Sequence, residues 1–476
     1  MIMKKEARRR VLNFTARLLP VVISLCIATP SQPAQAASKS TDGLPPEIQS
    51  FIKDKEAHAR DLAKKLEIDV SPDVWAYFGT AQTGQLAATT NAFERLKKRS
   101  SQYEGSSDDP TVGTPVWQVA VEVELAVEAF VANDSRYSAA FGQGVIQSVP
   151  AGSIYFGGTD PGRGLPTAYS KSHAKGDPFF TITQNALADA RYLDYIRATY
   201  GDILRTPTAE DSRKTFSEYL ADAQKRLDHD RRRPNEPRQI KPGEDVRIVN
   251  NRVTVSGQVA VMAINGLLCK VIFDANPDRE FYIEESFPLD WMYPHLTPHE
   301  LIFKLNRKPL AALPNDVVKK DREFWIRQQT QMIGGWLKPK TTVKEVCDFA
   351  SKTFGRKDYS RFKGDRGFVE NGYAHKLYSK LRSSAGGLYT WRAQNATDPA
   401  EKKQMLAEAD FAFRQAFALC PYSPEAIYRY VNLLVGAERL DDASRITTAA
   451  RTLMPGDRQL ENLDTELERL KRAKKK

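Results

Sequence analysis

The stretch Pro424–Asp457, PEAIYRYVNLLVGAERLDDASRITTAARTLMPGD, reads as one 34-residue helix–turn–helix unit. With Pro424 as the first position, Ala443, Ala450 and Pro455 stand at positions 20, 27 and 32. These are the small, small and proline slots of a tetratricopeptide repeat. The alanines let two helices approach closely, and the proline ends the second helix because it lacks an amide donor and clashes with the preceding turn. Moving back by 34 residues places Ala409, Ala416 and Pro421 in the same slots, with Phe413 at the large apolar position between them. Asp398-Pro399-Ala400-Glu401 and Ser423-Pro424-Glu425 each combine a capping side chain with proline in the first turn. Residues 374–457 are therefore expected to form two repeats, and residues 458–476 a solvating cap helix with a basic tail.

Upstream, the period changes. Residues 311–373 read as a helical connector whose apolar faces carry Trp325, Ile326, Met332, Ile333 and Trp336. Residues 149–310 read as an α/β domain with strands at Ser153–Phe156, Pro178–Thr183, Glu280–Glu285 and Leu301–Leu305. A glycine-rich turn follows the first strand, with a helix from about Thr167, and further helices fall at Leu187–Tyr200 and Ala209–Arg226. Asp228–Val246, with Arg231-Arg232-Arg233 and three prolines, reads as a surface connection, and Val246–Thr254 as a short hairpin. Gly257–Phe273 is an apolar helix expected to be buried on most sides, and Pro288–Leu296 a helical turn. Strand, loop, helix, strand is the rhythm of parallel pairing. Residues 37–148 are helical, with Ser71-Pro72-Asp73 as a helix start and a repeat-like spacing of Trp75 and Gly79. The fold class is α/β plus all-α: a helical N-terminal region, a small mostly parallel sheet domain and C-terminal helical repeats.

Residues 1–36 have the form of a secretory signal peptide: a basic start, the apolar run Leu18–Ile27 and the small-residue site Ala34-Gln35-Ala36. An uncleaved N-terminal anchor is the other reading. The formal charge of +11 is concentrated at the two ends of the chain. Lys4, Lys5, Arg8, Arg9, Arg10 and Arg17 outweigh Glu6 in the leader, and Lys471, Arg472, Lys474, Lys475 and Lys476 form the tail. The body between them is close to neutral, which argues against a nucleic-acid partner. The tail is suited to peripheral contact with an anionic membrane surface. Beyond the leader no apolar run of about 18 residues is expected to span a bilayer. Of the four cysteines, Cys26 lies in the leader; the three that would remain after cleavage, Cys269, Cys347 and Cys420, are odd in number and widely spaced, so buried free thiols are expected, with no zinc site or disulfide framework.

The most pointed loop is Gly157–Gly164, where four glycines accompany Thr159, Asp160 and Arg163. Glycines permit close backbone approach, and two charges of opposite sign suit a phosphate, a sugar or a peptide terminus. An Asp160–Arg163 ion pair bracing a tight turn is the structural alternative. Asn185 and Asp189 stand at the carboxyl end of the second strand, where open α/β sheets bind ligands, and helix capping is the simpler account of them. Tyr428 and Arg429 are candidates for the repeat groove. His295 and His299 are flanked by Pro294 and Pro298, which oppose a metal-binding helix. Glu284 and Glu285 point to opposite sheet faces, so they do not form a catalytic pair and are expected in solvent or salt bridges. No nucleophile elbow, Ser/Cys–His–acid set, cofactor motif or metal site is evident, so no catalytic residue is assigned.

Four segments carry a family likeness: GSIYFGGTDPGRGLPT (152–167), DPFFTITQNALADARYLDYIR (177–197), REFYIEESFPLDWMYPHL (279–296) and EADFAFRQAFALCPYSPEAIYRYVNLL (408–434). Together they resemble the extracytoplasmic C-terminal part of a bacterial family of large membrane proteins of unknown function, related to protein O-mannosyltransferases. In that family a multi-spanning transferase region precedes a soluble region with tetratricopeptide repeats. This chain departs from the pattern in carrying no multi-spanning region, so the family's transferase carboxylates have no counterpart here. The resemblance implies an extracytoplasmic address, periplasmic or secreted, and repeat-mediated binding of an envelope protein or glycan, accessory to envelope glycosylation. The competing expectation is a free-standing enzyme holding a sugar or phosphate ester at Gly157–Gly164.

Overall fold

Many of the described helices start at a short polar side chain that satisfies an otherwise orphaned backbone amide. Ser71 accepts from Asp73 N, Asp189 from Arg191 N and Asp398 from Ala400 N, while Thr208/Asp211 and Thr342/Glu345 form reciprocal capping boxes. The computed structural model describes residues 44–475 except 102–104, 132–134, 159, 171–175, 242, 251 and 285–289. The signal-peptide reading, Thr159 and Glu285 lie outside the described residues. Two compact units result, one from residues 44–289 with 302–307, the other from 290–301 with 308–475.

The first unit opens with helices α1 (Pro46–Lys65), α2 (Pro72–Gln82), α3 (Leu86–Lys97), α4 (Val116–Val131) and α5 (Ser135–Ser148). The run WQVAVEVELAVEAF makes α4 apolar nearly all round, and it packs against α1, α2, α3 and α5, burying Trp117, Val119, Val123, Val127 and Phe130. Strand β1 (Ile154–Gly157) follows, then α6 (Asp160–Tyr169), β2 (Phe180–Thr183), α7 (Ala190–Tyr200) and α8 (Ala209–Arg232). A separate hairpin, β3 (Asp245–Val249) with β4 (Arg252–Ser256), precedes α9 (Gln258–Ala275) and β5 (Phe281–Glu284). Strands β6 (Leu296–His299) and β7 (Ile302–Leu305) complete a mixed sheet of order β2-β1-β5-β7-β6.

Several expectations are corrected. The sheet is mixed, not mostly parallel: β1 runs parallel to β2 and β5, but β5 is antiparallel to β7. A fifth strand, β6, stands between the expected helical turn and the expected last strand, where none was expected; its Pro298 is tolerated because β6 is at the sheet edge. The glycine-rich turn is mostly helix, since α6 starts at Asp160, and α8 runs through Asp228 to Arg232 before Pro234. Helix α9 is enclosed on most sides as expected, with only Val261, Lys270 and Asp274 exposed. By length and composition it is the one described helix able to cross a membrane.

The second unit is helical from residue 315 onward: α10 (Asn315–Ile333), α11 (Val343–Ala350) with a π turn at Ser351–Gly355, α12 (Arg366–Glu370), α13 (Gly372–Asn395) and α14 (Pro399–Leu419). It ends with α15 (Pro424–Gly436), α16 (Leu440–Leu453) and α17 (Arg458–Lys475). Helices α13 and α14 pack along their length, and α15, α16 and α17 follow in successive contact. The four alanines at the small slots, Ala409, Ala416, Ala443 and Ala450, are fully buried. Gly386 serves the same end, because a Cβ there would sit 2.8 Å from the Phe413 ring. Cys269 and Cys420 are buried and Cys347 half-buried, all three as free thiols. Burial raises Cys347 and Cys420 to about 12 and pushes Cys269 up as well.

Inside this unit Arg382, fully buried, donates to Asp321 at 2.7 Å and to Gln415 at 2.7 Å, and Tyr389 donates to the same Asp321 oxygen at 2.7 Å. Removing one partner of a buried pair leaves an uncompensated charge. Asp321→Ala is expected to lower unfolding free energy by about 3–5 kcal/mol in urea denaturation. Asp321→Leu combined with Arg382→Met should lose less than the single change; an equal or larger loss would contradict this account.

His375 is 2% exposed and lies among Phe354, Phe368 and Tyr422. Burial, aided by Lys376, lowers its pKa to about 3. In the unfolded chain histidine titrates near about 6.5. Between those values the unfolded chain binds a proton that the folded chain refuses. The contribution is therefore complete above about pH 6.5 and is lost as pH falls toward 3. Moving from pH 7 to pH 5, the wild type should lose up to about 2 kcal/mol more than His375→Phe. Parallel stability curves for the two proteins would rule the mechanism out.

Candidate functional site

The carboxyl ends of β1, β2 and β5 meet in register, with Gly157 opposite both Thr183 and Glu284. Beyond them the chain builds a buried polar network. Gly158 N donates to Glu284 Oε2 at 3.0 Å, and Gly158 O accepts from Asn185 Nδ2. Asn185 O accepts from Asn265 Nδ2 at 2.9 Å, and Asn265 Oδ1 accepts from Ala188 N at 2.6 Å. The network thus links β1, β5, the turn after β2 and α9. The glycines serve close packing here. Neither Gly157, Gly162 nor Gly164 has positive φ; a Cβ on Gly162 would fall 2.0 Å from Glu284 Oε2, and one on Gly164 2.9 Å from Leu125 Cβ.

Behind α6 lies an ionic cluster. Lys55 Nζ of α1 is 2.5 Å from Glu122 Oε2 of α4, and Arg163 Nη2 of α6 is 3.6 Å from Glu122 Oε1. Tyr195 OH of α7 donates to Glu122 at 3.1 Å, and Arg163 Nη2 also reaches Gln118 Oε1 at 3.3 Å. Lys55, Glu122 and Arg163 are 5%, 4% and 6% exposed. Burial lowers the Lys55 pKa, with Glu122 opposing the shift. The same burial, reinforced by Glu122, pushes the Tyr195 hydroxyl up.

The sequence-derived residues do not gather at one opening. Asp160 is exposed at the start of α6, while Arg163 turns inward to Glu122 and Gln118. Asn185 is spent on the Gly158 carbonyl, and Asp189 caps α7 through Arg191 N at 2.9 Å. In the second unit Tyr428 is 3% exposed and cannot line a groove; Arg429 is half-buried, 3.4 Å from Ser384 Oγ. Glu284, expected in solvent or a salt bridge, is 1% exposed and accepts a backbone amide.

Sequence reasoning named Glu284 but gave it no part in the site, and missed Lys55 and Glu122. The one signal for Glu122 was its place inside the apolar run VAVEVELAV; Lys55 stands in the charged segment Lys53-Asp54-Lys55-Glu56, which gave none. Several buried atoms near the sheet have no hydrogen-bond partner among the described residues: Tyr155 OH, Thr181 Oγ1, both polar atoms of Gln184 and Asn185 Oδ1. Burial, with the Glu284 charge, holds the Tyr155 hydroxyl well above its usual range. Among the described residues no group of three His, Cys, Asp or Glu side chains could hold a metal. An open cavity of ≈ 380 Å³ lies at the opposite, amino end of the strands, between Pro150–Ser153 and Asp278–Glu280. A second, of ≈ 310 Å³, lies in the helical unit between Thr448–Asp457 and Glu461. No family model, curated protein or solved structure matches the chain.

Two substitutions test the packing logic of the site. Gly162→Ala forces a methyl group onto the Glu284 carboxylate and is expected to cost about 1–3 kcal/mol. Glu122→Gln leaves Lys55 and Arg163 without their carboxylate and should cost about 3–5 kcal/mol. Both are read by thermal and urea unfolding, and wild-type stability in either variant would refute the corresponding contact.

Proposed function

We propose that the protein is an exported cell-envelope binding protein whose C-terminal helices are tetratricopeptide repeats that engage a protein or saccharide partner, as an accessory to envelope glycosylation. The observation that carries the reading is the agreement between repeat register and helix boundaries. Pro399 opens α14 and Pro424 opens α15, and all four small-slot alanines are fully buried between helices. Burial of small residues at a fixed interval is what repeat stacking requires. The leader and the family likeness supply the extracytoplasmic address.

The first helix of the array narrows where a partner would bind. Arg382 and Arg392 of α13 are 0% and 3% exposed, so that helix is enclosed within its own unit. Binding therefore falls to α15–α17, where Thr448 and Thr452 are exposed beside the cavity lined by Arg451, Met454 and Asp457. The enzyme alternative calls for Asp160, Arg163 and Asn185 around one opening, whereas Asp160 is exposed, Arg163 faces Glu122 and Gln118, and Asn185 holds the Gly158 carbonyl.

The test is a pull-down from solubilised cell envelope with the chain from Ala37 onward, comparing wild type with Thr448→Arg combined with Thr452→Arg. Both side chains are exposed, so folding should be retained, as circular dichroism would show. At least one envelope protein or glycan is expected to be recovered with the wild type and reduced about ten-fold with the variant, equal to about 1.4 kcal/mol. Equal recovery, or none with either, would reject binding through this face.

A further inference from the structure

We propose that the β3–β4 hairpin, with the exposed side of the start of α9, is a docking surface for an anionic membrane. The inference does not rest on the partner reading above. Ile248 and Val249, at the outer end of β3, are 41% and 48% exposed, and Val261 in the first turns of α9 is 46% exposed. On the hairpin Val246 pairs with Val255 and Ile248 with Val253, so four branched apolar side chains share one face of a two-stranded sheet. Both strands contact α8 and β4 also contacts α9; Val246, Val253 and Val255 are half-buried, and only Ile248, at the tip, is exposed on that face. The root of the hairpin is fixed. Glu244 accepts from Tyr219 at 2.5 Å and from Arg226 Nη2 at 2.7 Å, and Asp230 accepts the amides of Gln239 at 2.7 Å and Ile240 at 3.1 Å. The start of α9 is tied to the same root, since a Cβ on Gly243 would sit 3.1 Å from Val259. A rigid base thus carries an apolar tip outward.

Charge selects the occupant. From Lys225 to Ser256 nine basic side chains stand against five acidic ones. Arg247 flanks the tip beside Asp245 at 2.7 Å, and Arg252 pairs across the hairpin with Val249. Arg231, Arg232 and Arg252 are exposed and have no carboxylate partner among the described residues. A second copy would bring the same excess of positive charge, which opposes self-association. An anionic lipid surface offers negative headgroups for the arginines and an acyl boundary for the hairpin tip, where Ile248 and Val249 project from opposite faces of the ribbon.

The test is co-sedimentation of the chain from Ala37 onward with vesicles of equal parts phosphatidylglycerol and phosphatidylcholine, and with phosphatidylcholine alone. Binding to the anionic vesicles is expected to weaken with salt and to fall about ten-fold or more in Ile248→Asp/Val249→Asp and in Arg247→Glu/Arg252→Glu. Melting temperatures should be unchanged, and a chain ending at Leu470 should still bind. Equal binding to the neutral vesicles, binding unaffected by Ile248→Asp/Val249→Asp, or loss only on removing the tail would overturn the proposal. So would a dimer, seen by analytical ultracentrifugation, that the hairpin variant abolishes while vesicle binding stays the same.

Discussion

Glu122 is a carboxylate that hardly meets water, and the first unit is assembled around that constraint. It sits mid-way along the most apolar helix of the unit, where an isolated charge would carry a large desolvation penalty. Lys55 from α1, Arg163 from α6 and Tyr195 from α7 converge on it, so three helices are oriented by one side chain of a fourth. Because Arg163 must turn inward, α6 has to start directly after β1 and lie close to the sheet. That closeness in turn requires glycine at 162 and 164. A ligand-like loop in the sequence is thereby converted into a packing device.

The second unit solves a similar problem with Asp321 and Arg382, but along a helical stack. Arg382 is shared between a carboxylate and the Gln415 amide, and Gln415 passes the network on to Gln329 at 2.8 Å. Such networks are sensitive to partial loss and tolerant of wholesale replacement by apolar groups. Both units therefore use buried charge to fix which helices meet.

Much of the helical part was legible in the sequence because its signals are local. Ser71-Pro72, Asp398-Pro399 and Ser423-Pro424 mark helix starts through capping chemistry that needs no tertiary information, and α14, α15 and α2 begin where those residues place them. The sheet was less legible. Leu296–His299 contains a proline and is short, so only its position at the sheet edge makes it a strand. The direction of β7 follows from its pairing with β5, which no local pattern encodes. The candidate site was misread for a related reason: glycine spacing tells that backbone or side chains come close, but not whether the neighbour is a ligand or Glu284. Glu122 and Lys55 come from helices far apart in the chain, and their pairing exists only once α1 packs on α4.

The three free thiols have a further consequence. Thiol–disulfide exchange runs through the thiolate, and burial keeps Cys269, Cys347 and Cys420 protonated far above neutral pH. In an oxidising space these three thiols of the folded chain are accordingly slow in disulfide exchange. The vulnerable interval is the one before folding, when all three sulfurs are exposed and titrate normally. Redox damage to this protein is thus a matter of how fast it folds, more than of where it resides.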